Sequence, residues 1–85
     1  MRDRWTVLRT AREGGAPATL RRRAGGLSLT VMRHTAWTLR CEPWCGAGGA
    51  AGQLLWSHDP DPDAALLEAE AWVGARLQEA LAELA

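Results

Sequence analysis

The sequence predicts an α+β fold: an antiparallel β-meander of four to five strands with one C-terminal α-helix packed on one face. Two patterns and the chain length support this fold. Apolar side chains recur at helical spacing after residue 61, whereas residues 5–42 contain short runs in which apolar and polar side chains alternate. A chain of 85 residues can bury one modest core, so residues 1–85 are expected to form a single domain.

The first strand is expected at residues 5–9, where the strand-forming residues Trp5, Thr6 and Val7 follow one another. Residues 13–17 then contain two glycines and a proline, which interrupt a strand and indicate a loop. The first strand should therefore end before this loop.

A β-hairpin is expected around Gly25 and Gly26, because glycine readily adopts the positive φ angles that a two-residue hairpin turn requires. Its strands are residues 19–24 and 27–33. The turn sets three cross-strand pairs on the face expected to be buried: Ala24 with Leu27, Arg22 with Leu29, and Leu20 with Val31. The opposite face should present six other side chains: Thr19, Arg21, Arg23, Ser28, Thr30 and Met32.

Arg22 falls on the face expected to be buried, where a charged side chain is unfavourable. At the margin of a sheet, a long side chain can reach water while its methylene groups stay on apolar surface. Residues 19–24 are therefore expected to form an edge strand.

A further strand is expected at residues 37–42, because Trp37, Leu39 and Cys41 alternate with polar side chains. Its apolar face matches that of the preceding strand only if Arg33 lies opposite Trp37. That register makes residues 34–36 the connecting turn, although they include neither glycine nor asparagine.

Pro43 has no backbone N–H to donate to a neighbouring strand, so it should end this strand. Residues 43–52 contain four glycines and are expected to form a loop. A last short strand is expected at residues 53–57, with Trp56 facing the core.

The helix is expected to begin at Asp61, which can accept a backbone hydrogen bond as the N-cap residue, with Pro62 at the first helical position. Apolar side chains then form one stripe that should lie on the sheet: Leu66, Ala69, Val73, Leu77, Ala80, Leu81 and Leu84. The stripe predicts a helix that covers one face of the sheet.

Trp72 lies about 120° from the centre of this stripe, so its indole is expected to be partly exposed. Arg76 follows one turn later and can place its guanidinium over the ring. Trp72 therefore has two interpretations: a ring shielded by Arg76, or an anchor for a partner protein.

The formal net charge is zero, yet charge is strongly divided along the chain. Residues 1–40 contain nine arginines and two acidic residues, whereas residues 41–85 contain one arginine and eight acidic residues. This polarity is compatible with solvated charge, with pairing between layers, with an anion-binding sheet, or with head-to-tail association.

No pattern of residues predicts catalysis or a metal site. Cys41 and Cys45 lack the paired spacing of a structural zinc site, and reduced thiols are the default in the cytoplasm. The glycines of residues 46–52 lack the lysine of a phosphate-binding loop. The aspartates before the helix are better explained as residues that cap its start than as calcium ligands. We expect no catalytic residues, no metal ligands, no cofactor and no enzymatic activity.

No apolar run approaches the ~20 residues of a membrane span, and the first residues lack the hydrophobic region of a signal peptide. A soluble, cytoplasmic protein without membrane association is therefore expected.

The meander leaves one face of the sheet without a covering layer. The sequence thus predicts a small non-enzymatic protein-interaction module, adaptor-like or inhibitor-like and of the kind that phages and mobile elements encode, which binds a protein partner or forms a homodimer. Contact should involve the uncovered face or the exposed helix tryptophan. The expected partner-binding residues are Trp72, Arg76, Met32, Arg40 and Thr30.

The alternative is binding of single-stranded nucleic acid on the arginine-rich face. Arg21, Arg23 and Arg40 would neutralise phosphates, and Trp44 or Trp56 would stack on a base. The zero net charge and the lack of an aromatic residue clearly placed on that face favour a protein partner.

Overall fold

The computed structural model describes residues 4–12, 14–42 and 53–85. It confirms the predicted α+β fold: an antiparallel sheet in which neighbouring strands follow chain order, with one C-terminal helix on one face. The elements are β1 (Thr6–Thr10), β2 (Pro17–Ala24), β3 (Leu27–Arg33), β4 (Trp37–Glu42), β5 (Gln53–Leu54) and α1 (Asp63–Leu84).

The β2–β3 hairpin has the predicted register. Gly25 and Gly26 have φ angles of 56° and 82°, which suit a two-residue turn between twisted strands. The cross-strand partners are those expected: Ala24 with Leu27, Arg22 with Leu29, and Leu20 with Val31. Arg33 also pairs with Trp37 across the next turn, so the register between β3 and β4 is confirmed.

Replacing Gly25 tests whether backbone conformation limits the hairpin. A Cβ atom at Gly25 would meet nothing within 4 Å, so any loss of stability must come from the positive φ angle. Gly25→Val is expected to lower the unfolding free energy by about 1–2 kcal/mol, whereas Gly25→Asn should change it little because Asn-Gly suits this turn. Urea denaturation measures both, and equal stability of the two variants would contradict the explanation.

The core lies between the sheet and the first half of α1. Trp37 and Leu66 are fully buried at its centre, where the sheet and the helix meet. Cys41 is buried beside them as a small core side chain, as its alternation in β4 predicts. The remaining core members are Trp5, Leu20, Leu29, Val31, Leu39, Leu55, Ala65, Ala69 and Val73.

The prediction that residues 19–24 form an edge strand is wrong. β1 pairs with β2, with Val7 opposite Leu20. Arg22 does not depend on water at a sheet margin, because its guanidinium forms an ion pair with Glu70 of α1. Strand alternation shows which way a side chain points, but it does not reveal a carboxylate supplied from 48 residues away.

The inward placement of Trp56 is also wrong, since its side chain is 84% exposed while Leu55 is 3% exposed. β5 ends at Leu54, and the chain bends at Trp56. The Glu68 carboxylate accepts the backbone N–H groups of Trp56 and Ser57, at 2.6 and 3.1 Å. These bonds tie the backbone to α1. Leu54 and Trp56 are both exposed and Leu55 between them is buried, so the residues alternate as expected but the opposite side faces the core.

The first helical residue of α1 is Asp63, one position after the expected Pro62. Pro62 precedes it with helix-like angles, φ −73° and ψ −15°, and its carbonyl oxygen accepts a hydrogen bond from Leu66 N–H at 2.8 Å. The Asp61 carboxylate accepts the backbone N–H of Asp63 at 2.9 Å. The N-cap position is Pro62 rather than the expected Asp61, but the Asp61 carboxylate still satisfies an otherwise unpaired N–H at the helix start.

The apolar stripe of α1 is buried only in its first half, at Ala65, Leu66, Ala69 and Val73. Leu77, Leu81 and Leu84 are 43%, 66% and 84% exposed, and Ala80 is exposed as well, so the expected burial of the second half is wrong. A helix of 22 residues is about 33 Å long. It extends past the sheet, and the molecule measures 48 × 24 × 19 Å.

Candidate functional site

The side of the sheet opposite α1 is the first candidate site, and we call it the open face. Within the described ranges, α1 is the only element outside the sheet, and it packs on the other side. Strand alternation and register place ten side chains on the open face: Thr19, Arg21, Arg23, Ser28, Thr30, Met32, Thr38, Arg40, Glu42 and Leu54.

The side chains of the open face form rows across the strands. One row runs Arg21, Thr30, Arg40, because each pair consists of direct cross-strand partners. Direct partners have Cβ atoms about 4.5–5.5 Å apart. Two guanidinium groups therefore flank one hydroxyl group on a rigid platform.

A second row on the open face is less polar, running Thr19, Met32, Thr38, Leu54. Leu8 of β1, the arginine row and all of the second row except Leu54 line one shallow concavity of about 300 Å³. Apolar and guanidinium contacts are therefore available side by side.

The charged groups of the open face are unequal in burial. Arg23 and Arg40 are exposed, whereas Arg21 is half-buried. The Arg21 Nε atom is buried and has no hydrogen-bond partner within the described structure. Glu42 pairs with Ser28 at the corner near the hairpin and reduces the positive charge there. The face thus presents three arginines and one carboxylate.

The helix layer contains the second pair of predicted contact residues. The Trp72 indole is half-buried and packs against the core, with the Arg76 Cζ atom 5.1 Å from the ring centroid. This confirms the expected position of Arg76 over the ring. Arg76 also lies 3.6 Å from a Glu79 carboxylate oxygen. Trp72 and Arg76 therefore lie on the opposite side of the sheet from Thr30, Met32 and Arg40, so the five residues form two surfaces.

A partly buried polar contact that the sequence reasoning missed joins β2, α1 and the residue before β1 around Glu70. Its carboxylate accepts a hydrogen bond from Trp5 Nε1 at 3.3 Å and forms the ion pair with Arg22. Two signals pointed to it. Arg22 lies on an apolar strand face, and Glu70 lies one turn after Leu66, on the flank of the buried stripe.

Of the two cysteines considered for metal or thiol chemistry, Cys41 is buried in the core and Cys45 lies outside the described residues. Trp44, which was considered for stacking on a base, also lies outside them. No group of three or more His, Cys, Asp or Glu side chains is arranged to hold a metal in the part of the chain that the structure describes. Over the same residues, no helix has the length and apolar character needed to cross a membrane.

A scan of protein-family models found no match to this chain, and searches of curated proteins and of solved structures found no significant relative. Function is therefore inferred from the surfaces of the chain itself.

Proposed function

We propose that the protein is a small non-enzymatic interaction module that binds a protein partner through the open face, in an adaptor-like or inhibitor-like role. The observation that supports this most directly is that the Arg21, Thr30, Arg40 row lies beside the less polar row that contains Met32. Arginine and methionine are enriched in protein interfaces. A cytoplasmic location stays a prediction from the sequence.

The open face is a better candidate than the helix surface around Trp72. One side of the Trp72 ring already contacts Arg76, and the ring packs against the core. A smaller part of the indole surface is therefore available for contact with a partner. The open face, in contrast, is a platform of paired strands that needs little rearrangement to bind, so it loses little conformational entropy.

Affinity capture of partner proteins from a native lysate, with the parent and matched variants as bait, tests binding by the open face. Arg40→Glu reverses an exposed charge on the open face, and Met32→Asp places a charge in its apolar row. Both should reduce partner capture at least about tenfold, since charge reversal and a buried unpaired charge disfavour a matched interface. Arg12→Glu and Leu67→Asp are the controls, because Arg12 lies in an exposed loop and Leu67 lies on the helix, 50% exposed.

The proposal requires that all four variants fold, which circular dichroism and thermal denaturation would establish. Capture that survives Arg40→Glu, or that is lost equally with Arg12→Glu, would exclude the open face as the binding surface. Nuclease treatment of the lysate should leave the captured protein bound.

Binding of single-stranded nucleic acid is the second candidate, favoured by the placement of Arg21, Arg23 and Arg40 on one face. It predicts that a labelled oligonucleotide binds at low salt, that affinity falls steeply with added salt, and that Arg21→Ala with Arg23→Ala abolishes binding. Arg12→Ala should have a smaller effect. Glu42, which reduces the positive charge of the open face, favours a protein partner.

A further inference from the structure

The hairpin end of the open face contains a polar pocket with a volume of about 570 Å³. Residues of the β2–β3 turn form one end of this pocket, and its polar lining consists of Arg21, Arg23, Ser28, Thr30 and Glu42. We call it the arginine pocket. The row that contains Met32 is not part of its lining, so the pocket is a distinct region of the open face.

Four side chains of the arginine pocket form a compact set of hydrogen-bond donors. Arg21 is the direct cross-strand partner of Thr30, and Arg23 is the direct partner of Ser28. Direct partners have Cβ atoms about 4.5–5.5 Å apart, and residues two apart in a strand lie about 6–7 Å apart on the same face. Two guanidinium groups and two hydroxyl groups therefore extend from the corners of one small quadrilateral.

Neither arginine of the pocket is neutralised by an acidic side chain among the residues that the structure describes. The ion pairs of that part of the chain join Arg22 to Glu70 and Arg76 to Glu79. The buried Nε atom of Arg21 also has no hydrogen-bond partner there. Two positive charges at adjacent positions of one face repel each other. An anion bound between them would remove this repulsion and accept their N–H groups.

Glu42 determines where in the pocket an anion can bind. It is the direct partner of Ser28 on the side away from Arg23, so two strand spacings separate it from Arg23, which is about 10 Å. Its carboxylate repels an anion, so the favourable position lies on the β2 side of the pocket, beside the two arginines. The pocket is therefore suited to one compact anion rather than to a row of phosphates that crosses the strands.

We propose that the arginine pocket binds a phosphoryl group, as inorganic phosphate or as a phosphomonoester. Arginine can donate two parallel N–H bonds to phosphate oxygens. A phosphomonoester has three terminal oxygens and a charge of about −1.5 to −2 at neutral pH, which matches two guanidinium groups and two hydroxyl donors. A carboxylate has one charge and two oxygens, so it uses fewer of these donors. The site goes beyond the proposed function, since a phosphoryl group can bind whether or not a protein partner does.

Titration with sodium phosphate at constant ionic strength, followed by proton–nitrogen correlation NMR, tests the site. The backbone amide signals of Arg21, Arg23, Ser28 and Thr30 should shift and saturate, whereas acetate and chloride should cause much smaller shifts. Arg21→Gln and Arg23→Gln should each weaken phosphate binding at least about tenfold, because each removes hydrogen bonds to a charged group. Arg12→Gln is the matched control, since it removes the same charge from an exposed position outside the pocket, and it should bind phosphate like the parent.

Arg23→Lys separates guanidinium geometry from net charge. Lysine keeps the charge but donates as a point charge, so its phosphate affinity should lie between those of the parent and Arg23→Gln. The dispersion of the same NMR spectra shows that each variant is folded. A phosphoserine peptide and the same peptide with serine identify the source of the group. Tighter binding of the phosphopeptide than of inorganic phosphate indicates a phosphoryl group on a partner, and equal affinity indicates free phosphate.

Three results would overturn the proposal. The first is a parent protein whose amide signals do not saturate with phosphate, or shift equally with acetate. The second is equal loss of phosphate binding in Arg12→Gln and Arg21→Gln. The third is a single-stranded oligonucleotide without a terminal phosphate that shifts the same signals at lower concentration than the phosphoserine peptide, which would assign the pocket to nucleic acid. Partner capture by the open face is a separate measurement, because Met32→Asp acts outside the pocket.

Discussion

Trp37→Ala is expected to remove a large part of the stability of the protein. The Trp37 side chain is 0% exposed and lies in the core between β4 and α1. Truncating a buried tryptophan lowers the unfolding free energy by about 3–5 kcal/mol. A domain of 85 residues has a total unfolding free energy of about 4–13 kcal/mol. Urea denaturation of Trp37→Ala should therefore show a much lower midpoint. If the unfolding free energy of the parent protein lies near the lower end of that range, a substantial fraction of the variant should be unfolded before urea is added.

Trp37 also has a polar contact that separates packing from hydrogen bonding. Its Nε1 atom donates to the Asp59 carbonyl oxygen at 2.8 Å and so ties the segment before α1 to the sheet. Trp37→Phe keeps most of the ring volume and loses this bond, which contributes about 0.5–1.5 kcal/mol. It should therefore be clearly more stable than Trp37→Ala.

Trp56→Ala is the matched control for Trp37→Ala, since the same residue type is removed from a position that is 84% exposed. Its effect should be within about 0.5 kcal/mol of zero. Similar losses for Trp37→Ala and Trp56→Ala would contradict the placement of Trp37 at the core and Trp56 in solvent.

Glu70→Ala is expected to have the second largest effect, a loss of about 1–3 kcal/mol in the unfolding free energy. The substitution removes the acceptor of Trp5 Nε1 and the ion-pair partner of Arg22 at once. Both charged side chains are about three-quarters buried, since their exposures are 22% and 25%. Water can compensate only part of the loss, so Arg22 is left as a mostly buried, unpaired cation.

Replacing both members of this pair distinguishes an unpaired charge from lost packing. Arg22→Met with Glu70→Leu removes both charges and keeps apolar volume, so it should be more stable than Glu70→Ala, and near the parent value. Chemical denaturation of the parent, Arg22→Met, Glu70→Leu and the double variant forms a double-mutant cycle. Effects that simply add would show that the ion pair itself contributes little. These measurements belong at low protein concentration, where self-association cannot add stability.

Local rules predicted the hairpin and the make-up of the open face. The two glycines determine the turn, the turn determines the register, and the register places Arg21 beside Thr30. The contact of Arg76 with Trp72 was predictable for the same kind of reason, because residues four apart on a helix are neighbours. Each of these inferences needs only the backbone geometry of one element or of two adjoining strands.

Long-range contacts decided the features that the sequence reasoning missed. Arg22 is stabilised by Glu70 rather than by water at a sheet edge, and the backbone at Trp56 is tied to Glu68 of the same helix. Both depend on where α1 crosses the sheet, which no local pattern specifies. The open face, in contrast, was predictable as a surface from strand alternation.

The sequence by itself therefore determined the order of the elements, the registers between β2 and β3 and between β3 and β4, and the side of the sheet to which the residues of these three strands point. These follow from backbone periods of 2 and 3.6 residues and from turn geometry, which act over a few neighbouring positions. Only the tertiary structure decided how much of the apolar helix stripe is buried, because every leucine in that stripe has the same local pattern. Val73 faces a sheet and Leu81 extends past it, so the same periodic face forms core at one end and an exposed ridge at the other.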